Sequence, residues 1–295
     1  MKSFDLNHTS KIFKISNYAI LSIAGIMCLL PFIHILAVSL SSNTVVAAGK
    51  VTFMPIEFTF NAYKFLLKKV QFWNSFGIST LRVLIGGAIN IFIVLTMSYP
   101  LSKSNRYFRS RTFYAWFIFF TALFSGGLIP LYQVVYKLGL IGSIWALVLP
   151  CAVPVFNIIL MLNFFRQIPS ELEEASYIDG CGHWRTLFQI FIPCSIPAIA
   201  TIVLFTVVGH WNSWFDGLIF SNRPEQYPLQ SYLQTIIIGM DFSQGATGSL
   251  DELANLSDKT LKSAQIIIAT IPIIALYPML QRYFISGIVV GSVKG

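Results

Sequence analysis

The chain has 295 residues, of which 55% are hydrophobic and only 11% charged, with a formal net charge of +8 and a mean hydropathy of +0.70. So few charges exclude an ordinary water-soluble domain and indicate a membrane protein. The positive balance reads as membrane topology and contact with anionic lipids, not as nucleic-acid binding.

Charged residues are absent from residues 15–49, 83–102, 112–136, 138–165, 186–215 and 263–281. A helix that crosses ~30 Å of hydrocarbon needs about 20 apolar residues. Five of these stretches reach that length and the sixth nearly does, which predicts six spanning helices at about 16–41, 76–101, 112–135, 143–165, 190–215 and 262–282. The stretch after Lys14 is longer than the core of a cleaved signal, so the first helix is expected to stay.

Lys2, Lys11 and Lys14 precede span one. Lys103, Arg106, Arg109 and Arg111 crowd the short connection from span two to span three. Under the positive-inside rule both places are cytoplasmic, although Lys50, Lys64, Lys68 and Lys69 fall in the first outer segment. Both termini are then cytoplasmic, in a multi-pass membrane protein. Arg82, at the start of span two, either lines an access path or snorkels to the outer interface, and snorkelling is the simpler expectation.

Prolines stand in span three (Pro130), four (Pro150, Pro154), five (Pro193, Pro197) and six (Pro272, Pro278), each removing a backbone donor and favouring a kink. The segment from about 220 to 260 is rich in Ser, Gly, Asp and Asn and is expected as an external loop with at most a short helix. Cys28, Cys151, Cys181 and Cys194 form no CxxC pair and have no companion histidines at ligand spacing, so they read as apolar filler and no metal site is expected.

Four of the twelve acidic residues lie within nine positions: Glu171, Glu173, Glu174 and Asp179. Ser170 and Glu173 fit a capping box, so a helix should begin at Ser170, carry acids in its first turn and end at a left-handed Gly180. Burying one such carboxylate at mid-bilayer costs about 2.5–3.5 kcal/mol, so this helix belongs outside the hydrocarbon. Leu172, Ala175, Ser176 and Asp179 fall at helical spacing, and the small pair Ala175 and Ser176 permits close approach by another backbone. A knob for a partner and a solvated connection between two spans both remain open.

The stretch "EEASYIDGCGHWRTLFQIFIP" resembles the EAA motif of ABC importer permeases. Glu174-Ala175-Ser176 stands for its first part, Gly180 follows after three residues, and Ile190-Phe191-Ile192-Pro193 after nine more. The departures are Ser176 for Ala and Ile192 for Leu. The run from Phe124 to Ser176 and the C-terminal "YPMLQRYFISGIVVGSVKG" extend the resemblance over nearly the whole chain. They are similar to carbohydrate permeases of the maltose-transporter type, in a branch associated with complex oligosaccharides.

The resemblance implies an all-α type I importer permease: one transmembrane domain over residues 1–295, with six spanning helices and a cytoplasmic coupling helix at about 170–180. It implies that Glu173, Glu174, Ala175, Ser176, Asp179 and Gly180 transmit force to an ATPase, and that the tail Gly291, Ser292, Val293, Lys294 and Gly295 reaches the ATPase interface. The implied partners are a second, homologous permease, two ATPase subunits, an extracellular solute-binding protein and a sugar. No catalytic residue or cofactor site is expected in this chain, which contains no G-x-x-x-x-G-K-[ST] loop; ATP and Mg belong to the ATPase subunits.

For sugar contact the expected stretch is "GHWNSWFDG". Trp211 and Trp214 offer faces for pyranose stacking, and Asn212 and Asp216 offer polar atoms, while an interfacial aromatic belt is the simpler expectation for each residue taken singly. His210 reads as a packed polar residue. A permease of this class for a non-sugar solute is the alternative. A secondary carrier is disfavoured because none of the six charge-free stretches holds an acid, and a membrane enzyme because the histidines are scattered.

Overall fold

Only three of the six charge-free stretches form continuous helices long enough to cross a bilayer. The computed structural model describes residues 6–242 and 258–292, with no strand among them. The helices are α1 (Leu6–Ser39), α2 (Asn43–Ala47), α3 (Asn61–Lys68), α4 (Val70–Ser102), α5 (Arg111–Leu123), α6 (Leu128–Lys137), α7 (Ile144–Val148), α8 (Val155–Phe165) and α9 (Ser170–Ile178). They continue as α10 (His183–Thr186), α11 (Ile192–Cys194), α12 (Ile196–Asn212), α13 (Phe215–Phe220), α14 (Leu229–Phe242) and α15 (Asp258–Ser292).

Spans one, two and six contain the continuous apolar segments Phe13–Ser39, Val70–Ser102 and Lys259–Pro278. The other three are bent pairs: Arg111–Leu123 with Leu128–Lys137 at 111°, Ile144–Cys151 with Val155–Phe165 at 47°, and His183–Cys194 with Ile196–Asn212 at 86°. Counting each pair as one span gives six.

Each break has a local cause. Span three opens at Ser125-Gly126-Gly127, where Gly127 takes φ +86°, a conformation that suits glycine. Pro130 is not the break; it lies in the first turn of α6, where its missing N–H costs nothing. Span four opens before α8, with Pro154 as its N-cap. Span five contains a π-helical turn at Leu187–Phe191 and turns again at Ser195. Pro193 and Pro197 deny the Gln189 and Pro193 carbonyls their i+4 donors, which accounts for both departures. By contrast, α15 runs through Pro272 and Pro278 without interruption.

The chain falls into two compact units. The described residues of 1–69 with 237–270 form one, and those of 70–236 with 271–295 the other. In the first, Ala37, Val38, Val46 and Val51 make a small apolar cluster, and the Thr260 hydroxyl donates to the Asn43 side chain. In the second, Val94, Tyr99, Ile158, Met161, Phe165, Leu187, Phe191 and Ile202 form a core that joins α4, α8, the π-helical turn and α12.

The burial pattern of α4 is inverted relative to a soluble helix. Its buried stripe includes Ser75, Ser79, Arg82, Gly86, Asn90, Val94 and Ser98, while Leu81, Leu84 and Phe92 are exposed. Small and polar residues inside with large apolar ones outside is the pattern of a helix solvated by lipid.

The stretch expected as a loop from about 220 to 260 holds a short turn at Pro224–Gln226 and then α14. Leu229, Ser231, Tyr232 and Leu233 are buried there, because the apolar LQSYLQTIII run precedes the polar composition on which the loop expectation rests. Residues 243–257 lie outside the described residues.

Candidate functional site

The acidic stretch folds as α9, nine residues long, between spans four and five. Its C-terminus is a Schellman motif. The Gly180 N–H donates to the Tyr177 carbonyl at 3.1 Å and the Cys181 N–H to the Ser176 carbonyl at 2.9 Å, with Gly180 at φ +75°.

The N-terminus differs from the expected capping box. Pro169 occupies the N-cap position and Ser170 is the first helical residue, with no side-chain cap bond. Glu173 turns elsewhere: its Oε1 lies 2.6 Å from Lys103 Nζ and accepts from the Tyr177 hydroxyl at 2.8 Å. A carboxylate engaged by a cation and a phenol has a stronger bond there than to one backbone amide.

Lys103 is 8% exposed and follows directly on α4. Its ammonium lies 3.9 Å from the centroid of Tyr99 and 4.0 Å from that of Phe191, so one cation joins the end of span two, α9 and the π-helical turn of span five. Burial lowers the Lys103 pKa and the Glu173 carboxylate opposes that shift. Tyr177 also meets His183 Nδ1 at 3.0 Å, and its pKa is raised, by burial first and then by its bonds to Tyr99 and Glu173.

These contacts divide the predicted coupling residues into two sets. Ser176 is 3% exposed and its hydroxyl pairs with Thr186 at 3.0 Å, so it packs against its own chain, and Glu173 also turns inward. Glu174, Ala175, Asp179 and Gly180 are exposed, together with Glu171, Leu172 and Ile178. Ile178 is 86% exposed, an isoleucine at the tip of a charged helix that the described residues leave uncovered. The close-approach pair therefore reduces to Ala175 alone. Of the tail residues, Gly291 and Ser292 end α15, and Val293, Lys294 and Gly295 lie outside the described residues.

A second polar constellation lies inside the unit formed by residues 70–236 with 271–295. The Asn90 amide donates to the Cys151 and Ala152 carbonyls at 2.7 and 2.8 Å, satisfying groups that the break in span four releases. Its Oδ1 meets His210 Nε2 at 2.6 Å. Nearby, Asn157 donates to the Thr206 hydroxyl at 3.3 Å and Ser98 to the Ile158 carbonyl at 2.9 Å. Side-chain amides thus do for spans two, four and five what water does in a soluble protein.

Arg82 does not snorkel. It is fully buried, ion-paired with Asp216, and its Nη1 also donates to the Ser213 carbonyl at 3.4 Å. Asp216 is therefore engaged within the chain: it accepts from Ser213 Oγ at 2.8 Å and from the Gly217 N–H at 2.9 Å. Trp211 is 5% exposed and meets Phe76 edge-on at 5.7 Å, so it is neither an interfacial belt residue nor an open stacking face. Trp214 and Asn212 are exposed. His210 is a packed polar residue, as the sequence suggests. Lys103, Tyr99, Tyr177 and Thr186 were not legible as a site; the available signal was a lysine abutting a spanning segment.

Residues 85–290 match the family described as binding-protein-dependent transport system inner membrane component. Protein LplC of Bacillus subtilis (strain 168) is 39% identical over 97% of this chain and 96% of its own length. The polygalacturonan/rhamnogalacturonan transport system permease protein YtcP of the same organism is 38% identical, over 97% of this chain and 99% of its own. Among solved structures, a chain of a bacterial ABC transporter involved in the import of the acidic polysaccharide alginate superposes with a TM-score of 0.82 at 30% identity, covering 96% of this chain and 100% of that one.

Proposed function

The chain belongs to the family of binding-protein-dependent transport system inner membrane components, and on that premise we propose that it is the permease subunit of an ATP-driven oligosaccharide importer. The polymers named for YtcP and for the alginate transporter support a carbohydrate longer than a monosaccharide.

The observation that carries the reading is α9. A short, Schellman-capped helix presents Glu171, Leu172, Glu174, Ala175, Ile178 and Asp179 outward, while its inner side is tied through Glu173 and Lys103 to spans two and five. The outer side is the docking surface for a cytoplasmic ATPase and the inner side delivers the movement. Closure of the ATPase dimer displaces α9, the Lys103 joint passes the displacement to α4 and the π-helical turn, and the spans alternate between outward and inward access.

In this arrangement the chain hydrolyses nothing itself. Two ATPase subunits hold ATP and Mg, a second homologous permease completes the pathway, and an extracellular solute-binding protein delivers the sugar. The protein lies in the bacterial plasma membrane with both termini cytoplasmic.

Purification from the native membrane tests the proposal. One homologous permease and two ATPase copies per chain are expected. A homomer, under conditions in which known membrane complexes survive, would point to a secondary carrier.

A further inference from the structure

The two charge-free stretches that make spans three and four are bounded by arginines: Arg111 directly precedes residues 112–136 and Arg166 directly follows residues 138–165. In the fold these two ends come together. Arg111 is the first residue of α5, Arg166 is the C-cap of α8, and α5 packs against α8. Between the helices lies a groove of about 440 Å³, whose lining includes both arginines, Asn163 and the apolar side chains of Trp116, Phe119 and Leu162.

Neither arginine is neutralised by its own chain. The ion pairs among the described residues are Arg82 with Asp216 and Lys103 with Glu173, and no acidic residue lines the groove. Arg166 is exposed and Arg111 is half-buried. The Arg111 Nε donates to the Leu101 carbonyl at 2.9 Å, which anchors the guanidinium to the end of α4 and leaves its Nη groups for another acceptor. The apolar wall is also uncovered: Trp116 is 65% exposed. Cations therefore stand at the boundary where the charge-free stretches end, and an open apolar surface lies inside them. A ligand that fits both carries an anionic head and an apolar chain.

We propose that this groove holds an anionic phospholipid, with its phosphate between Arg111 and Arg166 and an acyl chain along Trp116, Phe119 and Leu162. The planar fork of a guanidinium suits phosphate oxygens. A zwitterionic headgroup also brings a cation, which two unpaired arginines repel. A helix of a second protein would match the apolar wall, but it would have to bring carboxylates to the membrane boundary to meet both arginines. The groove opens at the end of the unit that carries α9, since Arg166 stands four residues before Ser170. The permease reading places that end in the cytoplasm, so the lipid belongs to the inner leaflet. Only this choice of leaflet rests on that reading.

The test uses the assembled importer in proteoliposomes that contain a trace of photoactivatable phosphatidylglycerol, or of phosphatidylcholine with the same acyl chains, and maps the labelled peptides. Phosphatidylglycerol is expected to label the peptides that hold Trp116 and Leu162 in preference to phosphatidylcholine. This preference should fall about fivefold in Arg166→Gln and further in R111Q/R166Q. Arg166 is exposed and pairs with no carboxylate among the described residues, so its substitution leaves the fold intact. Equal labelling by the two lipids, or a preference unmoved in both variants, overturns the proposal. Absence of lipid label from the groove also overturns it, and is the result expected if a second protein covers this face. ATP-driven sugar uptake by the same vesicles is read separately, and its failure with the labelling intact contradicts the permease reading alone.

Discussion

Lys103 Nζ and Glu173 Oε1 meet at 2.6 Å, with the ammonium also against the rings of Tyr99 and Phe191. This one contact joins the acidic helix to two spanning segments. Lys103→Met keeps the length of the side chain and removes its charge, leaving Glu173 with Tyr177. We expect an inserted, assembled complex, destabilised by about 3 kcal/mol, the low end for removing one member of a buried pair because Glu173 keeps some contact with solvent. It should hydrolyse ATP but move roughly tenfold less sugar per ATP hydrolysed, as measured in proteoliposomes. A purely structural role would lower hydrolysis and transport together and leave their ratio unchanged.

Gly180 ends α9 at φ +75°, and a Cβ built there meets nothing within 4 Å. Gly180→Ala therefore carries only the conformational cost, about 1–2 kcal/mol, and should retain most transport. Gly180→Trp adds bulk to the outward surface and should abolish ATPase association while membrane insertion persists. Pull-down of the ATPase subunits from matched membranes distinguishes the two variants.

Asn90 holds two released carbonyls and His210 together. Asn90→Leu leaves these buried groups without their partner and should cost about 1–3 kcal/mol for each group left unsatisfied. Thermal unfolding in detergent should fall accordingly, and more than for Asn212→Leu at an exposed position.

Gly86 faces the His210 ring, and an added Cβ would lie 2.7 Å from it. Because Asn90 pins that ring, Gly86→Ala should force α4 and α12 apart and destabilise the protein, whereas Gly77→Ala, where a Cβ meets nothing within 4 Å, should be neutral. The comparison is again made by thermal unfolding.

The number of spans, the position of α9 and its glycine stop follow from charge spacing and helix-end chemistry, and these are local properties. Which side of α9 faces inward does not. Ser176 and Glu173 look like docking residues until Thr186, beyond the Gly180 turn, and Lys103, at the end of span two, come into contact with them. Nor do prolines by themselves locate the breaks: Pro130 lies inside the first turn of a helix and Pro272 and Pro278 inside a continuous one, while Gly126-Gly127 opens span three. Arg82 departs from the snorkelling expectation for the same reason. Snorkelling is the rule for an isolated arginine near a helix end, and its partner Asp216 lies 134 positions away.

In the proposed function the outward side of α9 docks a cytoplasmic ATPase. A photo-crosslinking amino acid at Ile178, 86% exposed in this chain, tests it most directly in the assembled importer. A covalent adduct with the ATPase subunit is expected from Ile178 and from Glu174, and none from the buried Ser176 position. An intact, transporting complex in which Ile178 and Glu174 give no ATPase adduct would contradict it.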